Sequence, residues 1–301
     1  MVQSLEMSGD TEGWERLATN LRVEKALLQV LELLEGLPVV VFKGALLTRM
    51  VYGDLRQRAS ADNDLWIPHA YAHEALTRLL SAGYLPEPGL DARAAFRRRG
   101  QVPLWLAGDF TQVSADLHVE AFSALYFSVD ESVLKEHLVS VEIHGRRVQT
   151  FDRLLAMTHM AAHFIQHQFE QHVLVVLGHA WDRWHKELDL DELFLLSSQT
   201  CTRSALEYSL WLAHLLGYAR CEVPPLSSWR ARALAQLHGD KLPAQRDIYR
   251  KFMSLAVSDL KNIPQGMLHS LWLEQDELNN RYGEGARGAQ FLKHIAYLFR
   301  G

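Results

Sequence analysis

The sequence contains little cysteine and no long hydrophobic run, and each absence argues against a class of protein. Cys201 and Cys221 are the two cysteines in the 301 residues, and they form no paired-thiol motif. A disulfide scaffold or a zinc ribbon is therefore not indicated. The most apolar short run, residues 173–177, is far too short to cross a bilayer. The chain also lacks a G-x-x-x-x-G-K-[ST] phosphate loop.

The chain has no excess of positive charge either. Its 31 Lys and Arg residues against 36 Asp and Glu residues give a formal net charge of -5. Nucleic acid and anionic membranes are therefore not expected as partners. The hydrophobic fraction of 48% is that of a soluble globular protein. The first residues lack the basic start and apolar core of a signal peptide, so we expect a soluble, cytoplasmic protein.

The hydrophobic pattern changes near residue 150. Before it, short apolar runs predict strands at residues 39–42 and 62–67 and a hairpin over 139–149. After it, helical spacing predominates. We therefore predict an α+β protein with an α/β domain over residues 1–150 and a helical domain over residues 151–301. The first helix is expected to bury a leucine stripe consisting of Leu17, Leu21, Leu27, Leu28, Leu31 and Leu34.

Two acids stand on either side of a single residue at the start of the second predicted strand. Asp62 and Asp64 project to one face of a strand, because alternate strand residues share a face, while Asn63 faces away. Like charges this close repel each other unless a positive group lies between them. Carboxylate oxygens are the ligands that Mg²⁺ prefers. An Asp-x-Asp pair by itself is nevertheless more often a turn or a solvated strand edge.

A third acid lies on a later strand and strengthens the metal interpretation. Residues 111–120 alternate well, with apolar residues on one face and Asp116 and His118 on the polar face. Three acids on neighbouring strands can hold two metal ions roughly 3.5–4 Å apart, which stabilise both oxygens of a phosphoryl displacement. A strand, a Lys43-Gly44 turn and a helix precede the acids, a layout that presents backbone N–H groups to an anion.

These residues resemble the N-terminal signature of the nucleotidyltransferase-like family, which has the polymerase-β-type fold. More narrowly, they resemble its poorly characterised bacterial branch, in which Lys-Gly stands where most relatives have Gly-Ser. The resemblance is strongest over residues 40–120 and looser over 150–195. The matching positions are Lys43-Gly44, Leu47, Tyr52, Arg58, Asp62-x-Asp64-Leu65, Gly83-Tyr84, Asp116-Leu117-His118, His159, His163 and Asp189.

The resemblance implies an N-terminal mixed-sheet nucleotidyltransferase-like domain and a mostly helical C-terminal domain. It also implies transfer of a nucleoside monophosphate, by default AMP from ATP, to an acceptor with release of pyrophosphate. The acceptor would be a small molecule, a peptide or a protein side chain. Neither a membrane nor nucleic acid is implied.

The same resemblance implies a role for each site residue. Asp62 and Asp64 would hold Mg²⁺ (or Mn²⁺) against the triphosphate, and Asp116 would bind a second metal and help to deprotonate the acceptor. Gly44 would let the backbone approach the β- and γ-phosphates. The nucleotide would also be bound by Lys43, Arg58, His163 and Asp189.

Two other functions stay open. The fold could serve as a non-catalytic nucleotide- or protein-binding module in a biosynthetic or toxin–antitoxin assembly. Alternatively, His159, His163 and His167 share one helix face at a spacing that can bind zinc, although no third-ligand motif accompanies them. Bound zinc would then indicate a hydrolase.

A basic run precedes a strand that is predicted over residues 101–107. Arg93 and residues 97–99 could hold a polyanionic acceptor such as RNA. No aromatic residues interleave with them, so a solvated helix end, where cations suit the helix dipole, is favoured.

Overall fold

The computed structural model describes residues 11–106, 114–124, 126–238, 254–264, 278–279 and 285–299. These residues divide into two compact units. The sheet unit takes the described residues of Met1–Ala121 and Leu138–Asp152, and the helical unit takes those of Phe122–His137 and Arg153–Gly301. The α+β class is confirmed. The assignment of separate functional domains to residues 1–150 and 151–301 stays a prediction.

Seven strands of the described chain form one mixed sheet in the sheet unit, in the order β3-β4-β5-β2-β1-β7-β6. The pairs β1–β7 and β2–β5 are parallel, and the other pairs are antiparallel. The strands are β1 (Val40–Val41), β2 (Asp62–Trp66), β3 (Tyr84–Leu85), β4 (Gln101–Leu106), β5 (Ser114–His118), β6 (Leu138–Ile143) and β7 (Arg146–Phe151).

Helices pack against the sheet in the first unit and make up most of the second. Among the described helices none is long and apolar enough to cross a bilayer. The helices are α1 (Thr11–Leu33), α2 (Gly44–Tyr52), α3 (His69–Ser81), α4 (Ala92–Arg99), α5 (Glu131–Glu136), α6 (Arg153–Gln166), α7 (Gln171–Trp184), α8 (Leu190–Gln199), α9 (Arg203–Leu215), α10 (Trp229–His238) and α11 (Arg287–Phe299).

One face of the central strands packs on a hydrophobic core formed with α1 and α3. Leu65 of β2 and Leu117 of β5 belong to this core and are completely buried, as is Leu27 of α1. Because side chains alternate along a strand, Asp62 and Asp64 project from the opposite face. The hydrophobic period of β2 and β5 therefore places the acids away from this core.

The buried face of α1 differs from the predicted leucine stripe. Leu21 is 44% exposed, whereas Asn20 and Glu24 are completely buried. These two polar residues find partners from elsewhere in the sheet unit. Glu24 accepts hydrogen bonds from Arg49 of α2 and contacts His144 Nε2 at 2.8 Å, and the partners of Asn20 lie in the loop before β2.

Candidate functional site

The two strands that carry the acids are neighbours, and their register aligns the carboxylates. β2 runs parallel to β5 with Asp64 opposite Asp116 and Asp62 opposite Ser114. Side chains directly opposite each other on neighbouring strands lie on one face of the sheet. The structure thus brings Asp64 and Asp116 together and places Asp62 on the same face of the sheet. Asn63 faces the other way, as predicted, and donates its Nδ2 to Val23 O of α1 at 3.0 Å.

Asp64 is the most tightly held of the acids. Its side chain is 5% exposed, and Lys43 Nζ lies 2.7 Å from Oδ1. His118 Nε2 lies 3.1 Å from the same oxygen. Burial alone would raise the pKa of Asp64, but the charge of Lys43 and the hydrogen bond and charge of His118 outweigh burial and hold that pKa well below its usual range. Asp64 is therefore an anion at neutral pH.

Asp116 has the opposite electrostatic character. Burial, followed by the charges of Asp64 and Asp62, raises the pKa of Asp116 to about 7. Its Oδ2 accepts a long hydrogen bond of 3.4 Å from Gln101 Nε2. Its Oδ1 is buried and accepts no hydrogen bond within the described part of the chain. A buried carboxylate oxygen without a donor is destabilising unless a cation or proton satisfies it.

Asp62 is less buried than Asp64, and its pKa, like that of Asp116, is raised. Burial and then the charge of Asp64 raise the pKa of Asp62, while the charges of Lys43 and Arg58 oppose this effect. The charges of these two cations therefore act on the same carboxylate. Their assigned contacts with a triphosphate stay a prediction.

The donor set suits a divalent cation, although it differs in one residue from the predicted triad. Within the described residues, Asp64, Asp116 and His118 form the one group of three whose potential ligand atoms all lie within 4.8 Å of one another. Carboxylate oxygen and imidazole nitrogen both bind divalent metals. The triad of Asp62, Asp64 and Asp116 stays a prediction. His118 received no role from the sequence, although the alternation of β5 had placed it on the polar face with Asp116.

Gly44 is required by the packing of α2 against β2. The backbone of Gly44 has a φ of +71°, and a Cβ there would lie 2.6 Å from Asp62 O. Phe42 N donates to Asp64 O at 3.2 Å, so the chain after β1 continues alongside the acids. This close approach holds Lys43 next to Asp64 and places the N-terminus of α2 beside the acid-bearing strand.

The loop between α2 and β2 carries Arg58 and is fixed by one buried side chain. Asn20 Nδ2 donates to the carbonyl oxygens of Leu55 and Arg58, both at 2.6 Å. Asn20 Oδ1 accepts from Ser60 N at 3.0 Å. The Arg58 guanidinium donates to Thr48 Oγ1 and Ser60 Oγ. No local pattern in the sequence marks Asn20, because its partners lie 35 to 40 residues further along the chain.

Asn20→Ala is expected to destabilise the protein by about 3 kcal/mol, because three backbone groups, which are buried or partly buried, lose their partner. Urea unfolding measures the loss, and Lys25→Ala, at an exposed position of the same helix, is the matched control. Asn20→Asp should be at least as harmful, since a carboxylate would face the carbonyls of Leu55 and Arg58. An Asn20→Asp variant as stable as the wild type would show that Nδ2 does not make these contacts.

The two predicted site residues of the helical unit have local partners. His163 of α6 lies between His159, with ring centroids 5.7 Å apart, and His167, at 4.0 Å. Asp189 is exposed and caps α8, where its Oδ1 accepts from Asp191 N and Glu192 N. Capping accounts for Asp189 without any ligand. Nucleotide binding by His163 and Asp189 stays a prediction.

The predicted basic run lies on α4, and Gly100 is the C-cap of this helix. Asp91 caps this helix by accepting from Arg93 N and Ala94 N. The side chains of residues 97–99 lie outside the described part of the structure. An acceptor role for this run stays untested.

Comparison with known proteins identifies the family. No curated protein and no solved structure matches the chain. A family model described as an uncharacterised nucleotidyltransferase matches residues 15–217, which is well over half of the 301 residues. The match includes every one of the site residues discussed above. The chain therefore belongs to this nucleotidyltransferase family.

Proposed function

We propose that the protein transfers a nucleoside monophosphate from a nucleoside triphosphate to an acceptor and releases pyrophosphate. By default the donor is ATP and the group transferred is AMP. The observation that carries this proposal is the register of β2 and β5, which sets the carboxylates of Asp64 and Asp116 side by side on the sheet face away from the core formed with α1 and α3. Membership of a nucleotidyltransferase family supports the reaction class.

The reaction forms a bond between an acceptor oxygen and the α-phosphorus. The bond from the α-phosphorus to the pyrophosphate oxygen breaks, and the acceptor loses its proton. A bound divalent cation, Mg²⁺ or Mn²⁺, supplies charge neutralisation and orients the phosphates. Asp62, Asp64 and Asp116 would hold the cations, and Asp116 would help to remove the proton.

The phosphates would be bound by the residues around the start of α2. The N-cap residue Lys43 makes no side-chain capping hydrogen bond with its own helix, so backbone N–H groups of the first turn can donate to an anion. Lys43 and Arg58 supply positive charge there. The absence of a side chain at Gly44 lets these groups and β2 approach each other closely.

A thermal unfolding series tests the proposal directly. We expect one of ATP, GTP, CTP and UTP to raise the Tm in the presence of Mg²⁺ and not in EDTA. A ligand at about 100 times its Kd stabilises a protein by roughly 2.7 kcal/mol. The double variant Asp62→Asn/Asp64→Asn should lose the shift, and it should also lose transfer of label from an α-³²P-labelled triphosphate to an acceptor.

The matched control is Asp54→Asn, which removes an acid of the same unit that pairs with Arg56 and should keep the shift. Full transfer activity with Mg²⁺ in either single variant, Asp62→Asn or Asp64→Asn, would refute the metal assignment. No shift with any triphosphate would argue against donor binding by the free protein.

A non-catalytic binding module is the second candidate, and the ion pair between Lys43 and Asp64 favours it. The 2.7 Å contact already supplies a protein cation to the most tightly held acid. Such a module would bind its nucleotide equally well with Mg²⁺ and with EDTA. The unfolding series above therefore distinguishes the two functions.

A further inference from the structure

Three side chains of the sheet unit form a compact, buried set of metal-binding groups. The ligand atoms of Asp64, Asp116 and His118 all lie within 4.8 Å of one another. The side chains of His118 and Asp64 are 8% and 5% exposed, and Asp116 is 9% exposed as a residue. The set differs from a solvated acidic cluster, because all three groups are largely shielded from water.

The spacing of Asp64 and His118 matches neighbouring ligands on one ion. Two adjacent ligands of an octahedral ion with bonds of about 2.1 Å lie about 3.0 Å apart. The Asp64 Oδ1 to His118 Nε2 distance is 3.1 Å. Asp116 Oδ1, which is buried without a hydrogen-bond donor among the described residues, supplies an oxygen that a cation would satisfy.

The imidazole of His118 changes which ion the set prefers. Mg²⁺ favours oxygen ligands and is usually bound by one or two carboxylates together with substrate phosphates. Imidazole favours first-row transition ions, and affinity for sites with nitrogen ligands rises along the series from Mn²⁺. We propose that Asp64, Asp116 and His118 form a resident site for a divalent first-row transition ion, which is filled before any nucleotide binds.

This inference deepens the proposed function and rests on it only for the role of the ion in transfer. Asp62 lies outside the three-residue group and is more exposed. In this arrangement Asp62 remains available to a second cation that arrives with the triphosphate. His118 thus becomes a metal ligand in addition to the predicted acids.

Mn²⁺ alone, added to tag-free protein without nucleotide, is the test. We expect one equivalent to bind, measured by the loss of the free-ion signal in electron paramagnetic resonance. Three-pulse electron spin-echo modulation should show ¹⁴N coupling from a coordinated imidazole. His118→Gln keeps an amide near the position of Nε2 and should abolish the ¹⁴N coupling. This variant should weaken Mn²⁺ binding at least tenfold and Mg²⁺ binding less than threefold. His73→Gln, at an exposed position of α3, should change neither quantity.

A second variant guards against a folding defect in His118→Gln. Lys43 Nζ lies 2.7 Å from the Asp64 oxygen that would bind the ion, so its charge competes with the ion. Lys43→Met should therefore tighten Mn²⁺ binding about tenfold and retain the ¹⁴N coupling. Weaker Mn²⁺ binding in this variant would overturn the proposed position of the ion.

The outcomes separate this inference from the proposed function. Absence of ¹⁴N coupling in the wild type, or coupling that persists in His118→Gln, overturns the resident site whether or not transfer with Mg²⁺ occurs. Coupling that is lost in His118→Gln supports the site even if no triphosphate binds, in which case the proposed transfer fails instead.

Discussion

Asp116→Asn is expected to abolish nucleotidyl transfer and, in the absence of divalent cations, to make the protein more stable at pH 8. Transfer should fall by at least about 10³-fold, which corresponds to about 4 kcal/mol of transition-state stabilisation. The reason is that the amide cannot neutralise a cation. Stability should rise because the variant removes a buried carboxylate whose Oδ1 accepts no hydrogen bond among the described residues.

The sign of the pH dependence follows from the pKa of Asp116. Burial and the nearby acids raise this pKa from 3.8 to about 7 in the folded protein. Between those values the folded state holds a proton that the unfolded state has lost, so stability falls as the pH rises from about 4 to 7. The full effect is at most about 4 kcal/mol. Asp116→Asn should remove this fall, so its advantage over the wild type should grow from pH 5 to pH 8.

The free energy of unfolding of the variant must be compared with that of the wild type at each pH, because His118 contributes to the pH dependence with the opposite sign. Burial lowers the pKa of His118, against the hydrogen bond and charge of Asp64, so the wild type loses stability as the pH falls below about 6.5. Urea unfolding at pH 5, 6, 7 and 8 with EDTA, for variant and wild type, isolates the contribution of Asp116.

Asp64→Asn is the matched partner for this experiment. The pKa of Asp64 is held low by Lys43 and His118 against burial, so its ionised form stabilises the folded protein above about pH 4, and that stability is lost as the pH falls through the folded pKa. Asp64→Asn should therefore abolish transfer and also destabilise the protein at pH 8. If both variants shifted stability in the same direction at pH 8, the electrostatic assignment of the two acids would be wrong.

Gly44→Ala is expected to destabilise the protein by about 3 kcal/mol or more and to weaken binding of Mn²⁺ and nucleotide. A left-handed backbone conformation costs roughly 1–2 kcal/mol for a residue with a Cβ. At Gly44 the new Cβ would also lie 2.6 Å from Asp62 O. Because that atom belongs to the backbone of β2, the clash must displace either α2 or the strand that carries the acids.

Gly36→Ala provides the control for the backbone term. Gly36 has a φ of +81°, similar to Gly44, but no atom lies within 4 Å of the position of its Cβ. Gly36→Ala should lower the free energy of unfolding only by the conformational cost of roughly 1–2 kcal/mol, and it should leave ligand binding unchanged. Urea unfolding and Mn²⁺ titration of both variants measure the difference, and equal effects of the two substitutions would show that α2 and β2 do not meet as described.

Much of the sheet unit could be predicted because its signals are local. The alternation of β5 predicted that Asp116 and His118 share a polar face, and the same period predicted that Asp62 and Asp64 project together. The hairpin was also confirmed, with β6 and β7 joined at His144 and Gly145. Each of these features depends on neighbouring residues in the chain.

The helix α1 has a buried face that local sequence patterns do not predict. Helical spacing predicted a buried leucine at position 21, yet Asn20 and Glu24 occupy the buried face. Their burial is favourable because Asn20 binds three backbone groups of the loop before β2, and Glu24 binds Arg49. These partners lie 25 to 40 residues away along the chain, so no local period could indicate them.

The sequence by itself determined the class of fold, the strand that carries Asp62 and Asp64, and the face of β5 that carries the third acid. Only the tertiary structure decided that β5 lies beside β2 in parallel, that Lys43 and His118 both contact Asp64, and that Asp116 has a pKa of about 7. The physical reason is the distance along the chain over which each interaction acts. Side-chain alternation is set by the backbone of a single strand, whereas strand order, burial and the electrostatic field depend on groups brought together from distant parts of the chain.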